Sequence, residues 1–233
     1  MPQRDPLSPP LLIVAGALAA LPAAWLAVAA DAAVTGVAGP LAGFASTGLH
    51  LSPSFTVAAG LETTGSHPAP AWVLALLAGP LGSACLGLGF HAITQLFRGL
   101  VWLRVLAFQW AAFATLRLPA LLIAGVAPAG RGPVCDLYGR LGEPESGRWA
   151  VAVLACLALW GAAALVSRLA VGAGRTWMRV DGRGFRRRLV RVVAGYPALA
   201  ALTTWSVVAG WAGPAWMASW LILTVVALHV LTA

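Results

Sequence analysis

Polar side chains are scarce along this chain and arrive in bunches, so long apolar runs alternate with short polar intervals. A hydrocarbon core about 30 Å thick is crossed by about 20 apolar residues in helical form. By that measure the pattern predicts helical spans at 11–33, 71–97, 100–126, 149–172, 189–209 and 214–232. The first of these follows a short polar start containing Arg4, as in a signal peptide. Its apolar part exceeds the usual 7–15 residues, so it reads as a retained span. The interval 34–70 is different. Its second half, "HLSPSFTVAAGLETTGSHPAP" (50–70), interleaves Thr and Val with Gly and Ser between Pro53 and Pro68, and predicts a short hairpin or irregular outer segment. Its first half, "VTGVAGPLAGFASTGL" (34–49), is short and glycine-rich for a span; a re-entrant path would need cover from protein.

Composition fixes the class. The chain is 60% hydrophobic and 9% charged, where a soluble domain carries roughly a quarter charged residues. Little remains for a soluble domain, and residues 1–233 read as a single polytopic transmembrane domain, an all-α integral membrane protein of about six transmembrane helices. The 26 glycines suit helices that approach closely in a membrane. Cys85, Cys135 and Cys156 show no CxxC or metal-site spacing; Cys85 and Cys156 lie in apolar runs, where a thiol behaves as a small hydrophobe.

The net charge of +8 comes from arginine alone, with no lysine. Such hydrophobicity excludes a soluble nucleic-acid-binding domain, so the charge carries topology instead. The stretch "GAGRTWMRVDGRGFRRRLVR" (172–191) holds Arg175, Arg179, Arg183, Arg186, Arg187, Arg188 and Arg191 against Asp181 alone. Short arginine-rich loops stay cytoplasmic. Six spans then put both termini and the turn at Arg98–Gly99 on the cytoplasmic side of an inner (cytoplasmic) membrane. The intervals 34–70 and 210–213 face out and contain no Lys or Arg. In the outer interval 129–148, Arg131, Arg140 and Arg148 are balanced by Asp136, Glu143 and Glu145. Trp72, Trp102, Trp149, Trp177, Trp211 and Trp216 fall near span ends, as in an aromatic belt. Arg183, Arg186, Arg187, Arg188 and Arg191 are the expected contacts for lipid headgroups or a partner.

Within 25–130 an apolar helix precedes a glycine-rich, strand-like stretch, then "LLAGPLGSACLGLG" (76–89), then a helix ending "FATLRLPALL" (113–122). This resembles the core of site-2-protease-like intramembrane zinc metalloproteases. The resemblance implies a membrane-level hairpin between the first helix and a helix opening with Ala-Gly-Pro. Its chemistry does not carry over. An HExxH helix offers zinc two histidines, with Glu as base. The corresponding stretch here, "AADAAVTG" (29–36), has Ala30 and Val34 in the histidine positions and only Asp31 nearby. Asp136 could stand where the family's distal Asp does, but one carboxylate does not hold zinc. The resemblance therefore implies a degenerate scaffold without its metal.

Ionisable groups inside spans are candidates for function, because burying charge in lipid is costly. Arg168 is near a span end and can snorkel. Asp31 and Arg117 fall at comparable outer depth on spans one and three, and a pair between them would offset both desolvation costs. His91 and His229 fall at similar depth near the inner face on different helices. That is how the axial ligands of haem b, or a ligand to chlorophyll magnesium, would be presented; interhelical hydrogen bonding is the plainer reading of both. His50 and His67 lie in the outer interval. No Walker loop, GxGxxG, Gly-x-Ser-x-Gly or paired intramembrane carboxylates occur. The expectation is a non-catalytic multi-pass accessory subunit of a larger membrane complex, respiratory or photosynthetic complexes being natural hosts, in contact with other integral membrane proteins and lipids. The alternatives are a degenerate intramembrane zinc-protease relative and a haem- or chlorophyll-binding subunit.

Overall fold

A computed structural model describes residues 9–51, 57–62, 67–97, 100–125, 134, 137–139, 145–177 and 184. Its elements run α1 (Pro9–Leu41), β1 (Ser46–Leu51), β2 (Val57–Leu61), α2 (Ala69–Thr94), α3 (Val101–Ala124) and α4 (Glu145–Trp177). Among the described residues, these four helices are each long and apolar enough to cross a membrane. The expected spans at 189–209 and 214–232 lie outside the described residues, as do His229, Arg183, Arg186, Arg187, Arg188 and Arg191.

The first helix is longer than its apolar pattern suggests, and the stretch 34–41 is helical rather than loop or re-entrant. Glycines that read as breakers serve packing here. A Cβ on Gly39 would overlap the Leu61 side chain, and one on Gly36 would touch Leu49 and Ala59, so the hairpin lies directly against the last turns of α1. The helix then stops by a Schellman motif. Gly43 takes the left-handed conformation (φ 90°). Phe44 N–H donates to Gly39 O and Gly43 N–H to Pro40 O, both at 3.0 Å, which satisfies carbonyls the helix end leaves open.

Strands β1 and β2 pair antiparallel, from Ser46 opposite Leu61 to Leu51 opposite Val57, with an irregularity between Ser46 and Gly48. Gly48, at φ 95°, supplies the positive dihedral that the irregular step requires. Phe44, Trp72, Ala75 and Leu137 form a small apolar cluster at this hairpin end of the bundle. There the Phe44 ring meets Trp72 edge-on at 4.6 Å and His67 at 4.0 Å.

Helix α3 is central and packs on α1, α2 and α4. Its apolar residues are buried almost all round, including Val105, Phe108, Ala112, Phe113, Leu116 and Ala120. The outer helices each bury one seam. Along α4 the seam is Ala152, Ala155, Leu159, Ala163, Val166, Ala170 and Ala173, the three-and-four spacing of a coiled-coil stripe. Along α2 it is Ala75, Gly79, Ser83, Gly87 and His91, at strict four-residue intervals. Small residues on that seam bring backbones close. A Cβ on Gly87 would lie 3.1 Å from the Cα of Ala111. Opposite these seams, Leu74, Leu81, Leu86 and Ile93 of α2 and Val153, Leu154, Leu157 and Trp160 of α4 point outward.

Candidate functional site: a buried ion pair among three helices

Asp31 on α1 and Arg117 on α3 meet inside the bundle. One Arg117 Nη donates to Asp31 Oδ2, and the two side chains are 8% and 13% exposed, Arg117 first. The hydroxyl of Thr35, one turn further along α1, donates to Asp31 Oδ1 at 3.3 Å. Both carboxylate oxygens are thereby engaged. Arg117 lies about 7 Å from the midpoint of α3 at 1.5 Å per residue, toward the hairpin end.

Helix α2 closes the third side with backbone. A Cβ on Gly79 would overlap Asp31 Oδ1 and Thr35 Oγ1 and come within 2.8 Å of the Asp31 carbonyl oxygen. Glycine at 79 is what lets α2 lie over the pair. One turn on, Ser83 Oγ donates to the Ala27 carbonyl oxygen at 2.7 Å, and beside it Gly82 faces Val34. The contacts Ala27–Ser83 and Asp31–Gly79 set α1 and α2 antiparallel.

A second polar group occupies the other end of α2. His91 is 5% exposed. Its ring lies 5.5 Å from Phe108 of α3, edge-on, and Nδ1 is 3.5 Å from the Gln95 amide nitrogen. Thr94 Oγ1 donates to the His91 carbonyl oxygen at 2.8 Å. Arg104, 3% exposed, donates Nε to Thr94 O at 3.1 Å and Nη2 to Gln95 O at 3.0 Å. The guanidinium thus caps the carbonyl end of α2, where the helix dipole favours a cation.

Among the sequence candidates, then, Asp31 and Arg117 are in contact. His91 lies within the bundle between α2 and α3, and its proposed counterpart His229 is outside the described residues. Residues 30 and 34 carry no ligating atoms, and Asp31, between them, is bonded to Arg117. Among the described residues no group of three or more His, Cys, Asp or Glu side chains could hold a metal ion. Sequence reasoning missed Thr35, Gly79, Ser83 and Arg104. The first three had a usable signal: small or hydroxyl residues at helical spacing around a charged one. Arg104 had none, since Thr94 O and Gln95 O, which it meets, are backbone carbonyls.

What the pair can do chemically follows from its partners. A carboxylate with both oxygens occupied is neither an open metal ligand nor an accessible base. Using it as either would first require breaking the pair, and an uncompensated buried charge costs roughly 3–5 kcal/mol.

No protein-family model matches the chain, and no curated protein or solved structure is similar enough to count as a match.

Proposed function

We propose that this chain is a non-catalytic, multi-pass accessory subunit of a larger membrane assembly. The observation that carries the reading is the commitment of Asp31, the one acid within the described span windows, to Arg117 and Thr35. The charge in the membrane is used to fasten α1 to α3. The outward rows of large apolar side chains on α2 and α4 are surfaces for lipid and for neighbouring integral membrane proteins. In this reading the protein lies in the inner membrane with six spans, both termini and the arginine-rich stretch 172–191 cytoplasmic.

The test is the size of the particle in which the chain leaves its own membrane. Extracted in mild detergent, it should run on native gels well above the size of a 23.9 kDa chain in a micelle. Migration as a single copy overturns the reading. Orientation is tested separately: a cysteine placed at Gly184 should resist impermeant reagents in intact cells, and labelling from outside would reverse the topology.

A second reading is favoured by one observation. The order α1, hairpin, α2, α3 is the order that the site-2-protease-like resemblance implies. On this reading the chain keeps that scaffold without its metal chemistry. About one zinc per purified chain, lost on Asp31→Ala, would revive a protease in place of both readings.

A further inference from the structure

Tyr138, between α3 and α4, and Arg148, on α4, form a polar pair that plays no part in the contacts above. Tyr138 is 4% exposed and packs with Leu121 and Val134, against Leu122 and Val151. Its ring edge also backs onto Gly125, where a Cβ would lie 3.0 Å from Cε2. Its hydroxyl is buried and has no hydrogen-bond partner among the described residues. Arg148, on the first turns of α4, places its guanidinium carbon 6.0 Å from the centre of the same ring, and its Nε is likewise buried without a partner among the described residues.

A buried polar atom costs free energy unless something completes its hydrogen bonds. Arginine can only donate. Burial pushes the Tyr138 phenol above its ordinary range, and the Arg148 charge only partly offsets this. The phenol therefore keeps its proton at neutral pH and is available as a donor. Among the described residues the pair lacks an acceptor, and beside a guanidinium the complementary acceptor is an anion. The level of the site then selects the source. Trp149, next along the chain, is 47% exposed, and the apolar run of α4 opens at Ser146. Exposed tryptophan at the start of a span marks the headgroup level, where lipid phosphates lie.

We propose that Tyr138 and Arg148 form a binding site for the phosphodiester of a membrane phospholipid, at the hairpin end of the bundle. The phenol donates to one phosphate oxygen and the guanidinium fork to another.

The purified chain in a maltoside detergent, which carries no phosphate, allows the test. Short-chain phosphatidylglycerol should raise its melting temperature in a saturable way. Tyr138→Phe removes a hydroxyl that has no partner among the described residues, so without lipid this variant should melt at or above the wild type. With lipid the order should reverse, its affinity falling about tenfold for the loss of one charge-assisted hydrogen bond. Arg148→Gln should abolish the response. If Arg148→Gln does not fold, Tyr138→Phe carries the test alone. Inorganic phosphate and a phosphate-free diacylglycerol glycolipid are the comparison ligands. A response to inorganic phosphate that both variants lose would keep the phosphate site and assign it to a soluble ion. Equal responses in wild type and variants, equal stabilisation by the glycolipid, or a lipid-free Tyr138→Phe less stable than the wild type would each overturn the proposal.

Discussion

Arg104 and Arg117 sit on the same helix, α3, and are both almost wholly buried, at 3% and 6% exposure, yet their charges are met by different means. Arg104 lies where α2 ends. The last four carbonyls of a helix have no partner within it, and two acceptors there, Thr94 O and Gln95 O, receive its guanidinium. Arg117 lies away from the ends of its neighbours, where most backbone carbonyls are bonded within their own helices. There a side-chain anion, Asp31, receives it. A buried cation near a helix end can draw on backbone acceptors. One in mid-span obliges the sequence to carry a second ionisable residue.

The comparison can be broken most decisively at Arg117. Asp31→Ala or Arg117→Leu alone should destabilise the protein by about 3–5 kcal/mol, while the double change should be nearly neutral, because no charge is then left behind. Unfolding in detergent micelles, followed by tryptophan fluorescence, measures the cycle. Losses that simply add would mean that each side chain is stabilised by something other than its partner, and the contrast with Arg104 would fail.

Gly79 sharpens the same point from the α2 side. Gly79→Ala sets a methyl on top of Asp31 and Thr35, and overpacking of this kind costs about 3 kcal/mol at the upper end of its range. In an Asp31→Ala background, room opens and much of that loss should disappear. If the two changes add instead, helix α2 is kept close by the rest of its seam and not by the fit over the ion pair.

At the other arginine, Arg104→Met loses the two charge-assisted hydrogen bonds described above, about 1.5 kcal/mol each at the low end of their range, part of which water at the helix end recovers, and no single second substitution should restore it. The freed carbonyls lie at a helix end, within reach of interfacial water. Faster amide exchange confined to the last turn of α2 is the expected signature. A loss as large as that of Arg117→Leu would show that depth, not proximity to a helix end, governs both.

These two arginines also mark what could be read from the sequence. Asp31 is the one acid of the predicted spans, and counting along the helices brings it to the level of Arg117. Nothing in the sequence points Arg104 at Thr94 and Gln95, because backbone acceptors have no residue code. The early end assigned to the first helix has a similar cause. Gly36, Gly39 and Pro40 carry low helix propensity, and their use becomes visible only when Leu49 and Leu61 are seen packed against them. The stop itself was legible, since Gly43 followed by the apolar Phe44 is the pattern of a Schellman cap. Reading 129–148 as a balance of charges concealed Tyr138, whose surroundings come from Leu121 on α3 and Val151 on α4. For His91 interhelical hydrogen bonding is already the plainer reading of the sequence; the neighbour its ring meets, Phe108 on α3, is not legible there.

The smallest effect is expected at Ser83, and it tests whether hydrogen bonding or charge pairing holds α1 to its neighbours. The hydroxyl donates to Ala27 O at 2.7 Å and is buried between the helices. That carbonyl already accepts the Asp31 N–H within α1 by the regular helical pattern, so removing the hydroxyl strands no acceptor. Alanine also fits the seam, whose other members at 75, 79 and 87 are alanine or glycine. Ser83→Ala therefore loses one interhelical hydrogen bond and nothing else. Such bonds in membrane proteins average about 0.6 kcal/mol by double-mutant analysis, several-fold less than the single changes at the ion pair. The same fluorescence-monitored unfolding measures it. A loss of 3 kcal/mol or more, on the scale predicted for Asp31→Ala, would mean that α1 is anchored to α2 through Ser83 at least as firmly as it is anchored to α3 through Arg117.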